Sequence, residues 1–367
     1  MEPDITRMLR DAAGPPAPAP DMGFILGRGR LRRRTARAAA ALFSVALLTV
    51  VGVAGVRVRD VVRHDRAPAT GGVLRSLESG GVVLGATTQR DPESALYIMD
   101  AEGLGSRKLI DEPVGGEMSP AWSPDGTRVA FAMNVVPGHN PGAIDTNMEI
   151  FVVSSDGTGL RRLTNHPGLD TNPAWSPDGT RIAFTRWPDA PASEGGESVA
   201  VWAMNADGSN LQRLTHGPGL ADHAAWSPDG ELIAFSRYVR SKDAYAIFTM
   251  DPHGEDVRRL HSVTRAPYGV SSSSPSWSPD GSRIAFVRDE NQNRLGDSHL
   301  YVIDPDGGDL RRVSEQGGPY YDPTWSPHGR SIAFIAGNQI RVMRRDGREL
   351  WTLETGYEDI NGIDWAG

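Results

Sequence analysis

Residues Asn172–Phe184 read NPAWSPDGTRIAF, and nearly the same words return as SPAWSPDGTRVAF (Ser119–Phe131), HAAWSPDGELIAF (His223–Phe235), SPSWSPDGSRIAF (Ser274–Phe286) and DPTWSPHGRSIAF (Asp322–Phe334). Proline at the second turn position presets φ, aspartate accepts nearby backbone hydrogen bonds, and glycine tolerates positive φ, so Ser-Pro-Asp-Gly reads as a turn. The flanking apolar runs then read as two strands of a hairpin. A second signature follows each copy: a strand such as EIFVV or HLYVI, an Asp-Gly or related turn, then a strand such as LRRLT. Its turn glycines are Gly103, Gly157, Gly208, Gly254, Gly307 and Gly347.

Two hairpins per unit make a four-stranded antiparallel sheet, and the 40 to 53 residues between successive repeated tryptophans match one blade of a β-propeller. The repeated tryptophans are Trp122, Trp175, Trp226, Trp277 and Trp325, and Trp365 occupies the same place in NGIDWAG at the end of the sequence. No hairpin follows Trp365, while the strand it would pair with stands at Gly81–Thr88 as GVVLGATT. The expected fold is therefore all-β: a six-bladed propeller of four-stranded antiparallel blades, closed by pairing of its N- and C-terminal strands. Closure removes the free sheet edges of an open array. With 42 Gly and 27 Pro in 367 residues, the composition fits a turn-rich chain.

The W-S-P-D-G-x-x-I-A-F unit followed by Y-V-x-D-x-D-G-x-x-x-R-R-L-T resembles the TolB-like (WD40-like) propeller repeats, which also occur in the propellers of prolyl-oligopeptidase-type peptidases. The likeness covers residues 81–367 and implies the same closed propeller. The N-terminal part is similar instead to actinobacterial single-pass propeller proteins.

Residues 38–56, AAAALFSVALLTVVGVAGV, carry no charge, and such a run would form a helix about 29 Å long, enough to cross a bilayer. Six arginines precede it (Arg28, Arg30, Arg32, Arg33, Arg34 and Arg37) and four follow (Arg57, Arg59, Arg63 and Arg66). The positive-inside rule places residues 1–37, an Arg/Pro-rich tail, in the cytoplasm and the propeller outside the plasma membrane, joined by a linker at 57–80. A cleaved signal peptide is the competing reading, though it would need an unusually long charged leader. Residues 1–12 contain a short amphipathic stretch that could meet a cytoplasmic partner.

Residues 1–66 hold 12 of the 38 Lys+Arg and 6 of the 46 Asp+Glu, so the remainder carries a net charge of about −14. An acidic domain argues against a nucleic-acid partner. The absence of cysteine excludes disulfides and thiolate chemistry. No Gly-x-Ser-x-Gly elbow, dinucleotide-binding glycine pattern or His-Glu-x-x-His motif is present, so no catalytic residue and no cofactor are assigned. A metal-dependent hydrolase or lyase remains the alternative class. Its candidate ligands are His139, His166, His216, His223, Asp145, Asp170 and Asp222.

The main expectation is a non-enzymatic binding or scaffold module. The connections between hairpins are long and variable, and function sits on loops held by a rigid frame. Trp187, Tyr238, Tyr268, Tyr320, Tyr321 and Tyr357 fall in or beside them, as candidate anchors for a protein, peptide or glycan. The repeated tryptophans are expected to pack between blades instead. The charge asymmetry predicts that protease added to intact cells releases a propeller fragment while a tag at Met1 stays protected. Loss of the Met1 tag alone would reverse the orientation.

Overall fold

The computed structural model describes residues 81–87, 95–100, 106–110, 119–135, 147–188, 198–217, 219–261, 271–290, 297–353, 357 and 359–366. The tail, the apolar segment 38–56 and the linker lie outside them. Among the described residues no helix is long and apolar enough to cross a membrane.

Among the described residues twenty-four strands form six four-stranded antiparallel sheets. Blade 2 holds β4 (Ala121–Trp122), β5 (Arg128–Asn134), β6 (Met148–Ser154) and β7 (Arg161–Arg162), and blade 3 holds β8 (Leu169–Trp175), β9 (Arg181–Trp187), β10 (Ala200–Asn205) and β11 (Gln212–Arg213). Blade 4 comprises β12 (Ala221–Trp226) to β15 (Arg258–Arg259), blade 5 β16 (Ser271–Trp277) to β19 (Arg311–Arg312), and blade 6 β20 (Tyr320–Trp325) to β23 (Glu349–Leu353). Blade 1 draws on both ends of the domain: β24 (Asp359–Trp365) pairs with β1 (Gly81–Thr87), which continues to β2 (Ala95–Asp100) and β3 (Arg107–Lys108). The closing ladder places Val82 opposite Trp365 and Leu84 opposite Ile363. The ring closes as the sequence repeat predicts.

Each Ser-Pro-Asp-Gly turn is wired by its own side chains. In blade 3 the Ser176 hydroxyl donates to Asp178 Oδ1 at 2.6 Å and accepts from the Arg181 amide at 2.9 Å, while the Gly179 amide donates to the Ser176 carbonyl at 2.8 Å. Gly179 adopts φ +68°. The same serine donation, with the Thr127 amide and hydroxyl, lowers the Asp125 carboxyl to about 2, so this turn carries a charge at any physiological pH.

Strand alternation buries both faces of each blade. In RIAF, Ile182 and Phe184 pack toward blade 2 with Ile150 and Val152, whereas Ala183 faces blade 4 with Ile233 and Phe235. Phe131, Phe184, Phe235, Phe286 and Phe334 are fully buried, and Leu84 takes the equivalent place in blade 1. The core is therefore six inter-blade layers, and the layer that closes the ring joins Val82, Leu84 and Trp365 to Ile335, Ile340 and Val342 of blade 6. At the circumference the outermost strands of blades 1 to 5 are two residues long, and Arg161, Arg162, Arg258, Arg259, Arg311 and Arg312 are exposed there. Short charged edges discourage pairing with another chain.

The second-turn glycines serve the next contact along the ring. A Cβ at Gly254 (φ +88°) would lie 2.2 Å from the Leu214 carbonyl oxygen of blade 3, and Gly157, Gly307 and Gly347 abut the preceding blade at 2.4 Å in the same way. Outer-strand arginines reinforce this junction: Arg161 donates to the Ala206 and Asp207 carbonyls of the next blade's turn, both at 3.3 Å. Gly254→Ala should therefore cost about 3 kcal/mol or more in denaturant unfolding, combining backbone strain with a backbone clash. Gly126→Ala, at φ +66° but with nothing within 4 Å, should cost only about 1–2 kcal/mol.

Candidate functional site: the axial channel

The innermost strands surround a channel of about 370 Å³. It runs from the residue three positions before each repeated tryptophan to the turn prolines Pro228, Pro279 and Pro327, at the short-turn end. The repeat shapes its wall. Each inner strand of blades 3 to 6 breaks its ladder with a bulge just before the tryptophan, as between Thr171 and Ala174 or Tyr321 and Thr324. At that point the backbone turns left-handed: φ is +36° at Ser119, +52° at Asn172, +51° at His223, +52° at Ser274 and +44° at Asp322. Blade 1 has Gly362 there, where a Cβ would lie 2.9 Å from the Ser119 Cα.

Left-handed backbone suits asparagine, aspartate and histidine better than most residues, and a bulge redirects the side chain it carries. The six blades therefore bring the residue most variable within an otherwise repeated unit to one ring around the axis. The Ser274 hydroxyl donates to Asp322 Oδ1 of the next blade at 3.2 Å, and the His223 amide donates to the Thr185 hydroxyl of blade 3 at 3.1 Å. The position just before the tryptophan also lines the channel, with Ala121, Ala174, Ala225, Ser276, Thr324 and Asp364. Among the described residues no lysine or arginine lines it. Asp322 and Asp364 thus give the bore a negative character.

Asp364 is half-buried and lines the channel. Its Oδ2 accepts from the Trp122 amide at 2.8 Å, and its Oδ1 from the Thr324 hydroxyl at 3.1 Å and the Trp365 amide at 2.9 Å. Burial outweighs these three donors and raises its carboxyl to about 6.

The repeated tryptophans serve as blade couplers. Indole N–H groups of Trp175, Trp277 and Trp325 donate to carbonyls of the preceding blade (Ala121, Ala225 and Ser276) at 3.1–3.2 Å. Arginines of the preceding blade lie over two of the rings, Arg128 at 4.5 Å from Trp175 and Arg181 at 5.3 Å from Trp226. Such contacts add cation–π attraction to the packing.

The metal candidates do not assemble. His139 and Asp145 lie outside the described residues. Asp170 is committed to a buried bidentate pair with Arg186, both contacts at 2.7 Å. His166 is half-buried, with Nδ1 accepting from the Gly168 amide at 2.9 Å, and His216 is exposed. Only Asp222 and His223 meet, at 3.4 Å. Among the described residues no group of three or more His, Asp or Glu side chains is placed to hold a metal ion.

The aromatic candidates sit at the loop bases. Trp187 is buried; Tyr320 is buried edge-on against Phe334; Tyr357 is buried against Tyr97 and bonded to Ser106. Tyr238 is half-buried, bonded to Asp243 and tilted against Tyr245, and Tyr321 is half-buried against the closing layer. Tyr268 lies outside the described residues. Sequence reading passed over Asn172, Ser274, Asp322 and Asp364. Their signal was present, as a fixed offset from the tryptophan at which residue type changes from blade to blade.

A closed ring of four-stranded blades around a polar axial channel defines a six-bladed β-propeller scaffold. The TolB beta propeller domain model matches residues 81–267 and 218–361, and the chain belongs to this family. An uncharacterized protein of Agrobacterium fabrum is 28% identical over 207 residues, 53% of this chain and 62% of that protein. A Protein TolB homolog of Chlorobium luteolum is 30% identical over 186 residues, 51% of this chain and 37% of that protein. The match thus spans roughly two fifths to three fifths of these relatives' length. TolB from Acinetobacter baumannii superposes with a TM-score of 0.61 at 20% identity, covering 78% of this chain and 66% of that one. A chain of the nidogen/laminin complex gives 0.57 at 13% identity, covering 78% and 98%. At these identities the likeness is one of fold.

The left-handed ring yields a test of its own. Ser119→Gly should leave unfolding free energy within about 1 kcal/mol of the parent, because glycine reaches φ +36° freely. Ser119→Val should cost about 2 kcal/mol, since a β-branched residue is strained there. Equal costs for the two would show that φ at this position is not constrained.

Proposed function

We propose that the protein is a non-enzymatic binding scaffold whose partner, a protein or peptide segment, engages the axial channel from the short-turn end. The observation carrying this reading is the ring of Ser119, Asn172, His223, Ser274 and Asp322: five different or differently placed polar side chains in one left-handed backbone position, facing one cavity. A repeat that keeps its tryptophan, proline and glycine but varies the residue aimed at the axis has the form of a scaffold with a variable reading surface. The negative lining favours a partner segment bearing a positive charge or donor groups. Likeness to the TolB and nidogen propellers supports a protein partner, since the latter was solved as a complex with laminin.

In this reading residues 38–56 anchor the chain in the plasma membrane and the propeller stands outside it. The connections at the long-loop end remain a secondary contact surface. A photo-crosslinking amino acid at position 172 or 322, in intact cells, should capture a specific partner band that the same residue at position 258 on the circumference does not. Capture from position 258 alone would place the binding surface on the rim and reject the channel.

A further inference from the structure

The closing strand differs from its five counterparts at the residue before the tryptophan. Alanine, serine or threonine occupies that position in blades 2 to 6, and Asp364 occupies it in blade 1. The difference falls at the seam of the ring, where β24 is joined to blade 1 by hydrogen bonds rather than by a hairpin. One carboxylate bridges the seam. It takes the Trp122 amide of blade 2 and the Thr324 hydroxyl of blade 6 at once, while the Trp365 amide fixes it to its own strand.

We propose that Asp364 is a proton-sensitive latch on the ring: proton uptake from the channel relieves a desolvated charge at the closing strand, strengthens closure, and reduces the negative charge the channel presents to a ligand. The geometry supplies both requirements, a single group touching three blades and an open path to solvent along the bore. Few other groups compete. β1 and β21 (Ser331–Ala336) carry no titratable side chain, and neither does β4. β20 contributes Asp322, Tyr320 and Tyr321, β24 itself contributes Asp359, and His223 stands elsewhere on the same channel wall. Among the described residues no lysine or arginine lines the channel to hold Asp364 ionised.

The sign follows from burial, the largest influence on this carboxyl, which raises it from 3.8 to about 6. Between these values the folded ring binds a proton that the unfolded chain has released. The stabilisation is fully present below about 4 and is lost as pH rises through about 6. The turn aspartates such as Asp125 and Asp178, held low by their serines, act oppositely and lose their contribution only in stronger acid.

The test is the thermal midpoint of the full chain from pH 4.5 to 8, for the parent and for Asp364→Asn. The parent should fall relative to the variant by several degrees between about pH 5 and 7, on the usual scale of a few degrees per kcal/mol for domains of this size. Parallel curves would overturn the latch. Thr324→Val retains the carboxylate and removes one donor to its ionised form, so it should move the fall to higher pH, and this arm serves also if Asp364→Asn does not fold. An unmoved fall would assign the pH dependence to another group and reject the proposal. Neither arm depends on what binds the channel.

Discussion

The fold depends on one ladder of hydrogen bonds, between β24 and β1. All six neighbouring pairs of blades are joined by continuous chain, but blade 1 is itself split between the two ends of the domain and is completed only by this ladder, with Val82 facing Trp365 and Leu84 facing Ile363. If that ladder opened, the apolar layer of Val82, Leu84, Ile335, Ile340 and Trp365 would be broken, and blade 1 would expose the facing edges of β1 and β24. The loop-closure entropy of bringing together strands about 280 residues apart rises only slowly with length, so a single well-packed layer suffices to offset it.

With the ring closed, the repeated residues have a common purpose, which is to couple each blade to the one before it. At Trp175, Trp277 and Trp325 the indole donates backward to a carbonyl, the second-turn glycine rests on a carbonyl, and Arg161 of an outer strand reaches forward to the next turn. Turn glycines of the first hairpin touch turn prolines of the preceding blade, with the added Cβ at 3.3 Å for Gly230 on Pro177 and Gly329 on Pro279. Residue type varies at two channel-lining positions per blade, so charge can be set by a few substitutions, while Ser274, Asp322 and Asp364 there also bond neighbouring blades.

The channel's chemistry accordingly comes from exceptions to the repeat. Asp322 replaces the serine or asparagine of other blades, His223 precedes alanine where proline is usual, and Asp364 stands where small residues otherwise suffice. Together they make an acidic bore within an acidic domain, with hydroxyl and amide groups to direct a partner's donors. Asp170 and Arg186 show the contrary case: a fully paired buried charge at the blade 2–3 junction, satisfied internally and offering nothing to a ligand.

The sequence by itself determined the strands, both turn types, the blade number and the closing strand, because each rests on local rules: alternation of apolar residues within five or six positions, and the φ demands of Pro and Gly in a four-residue turn. Even Trp365 without a following hairpin was readable as an unpaired first strand. The location of the site was not. Ser119, Asn172, His223, Ser274, Asp322 and Asp364 are separated by roughly 40 to 50 residues, and only the six-fold arrangement of blades about an axis makes them neighbours. Loop aromatics such as Trp187 and Tyr320 read as surface anchors from position alone, yet tertiary packing buries them, Tyr320 edge-on against Phe334. Likewise, Gly254 is explicable locally by its positive φ, but the 2.2 Å approach to the Leu214 carbonyl that forbids a side chain there exists only once one blade lies against another.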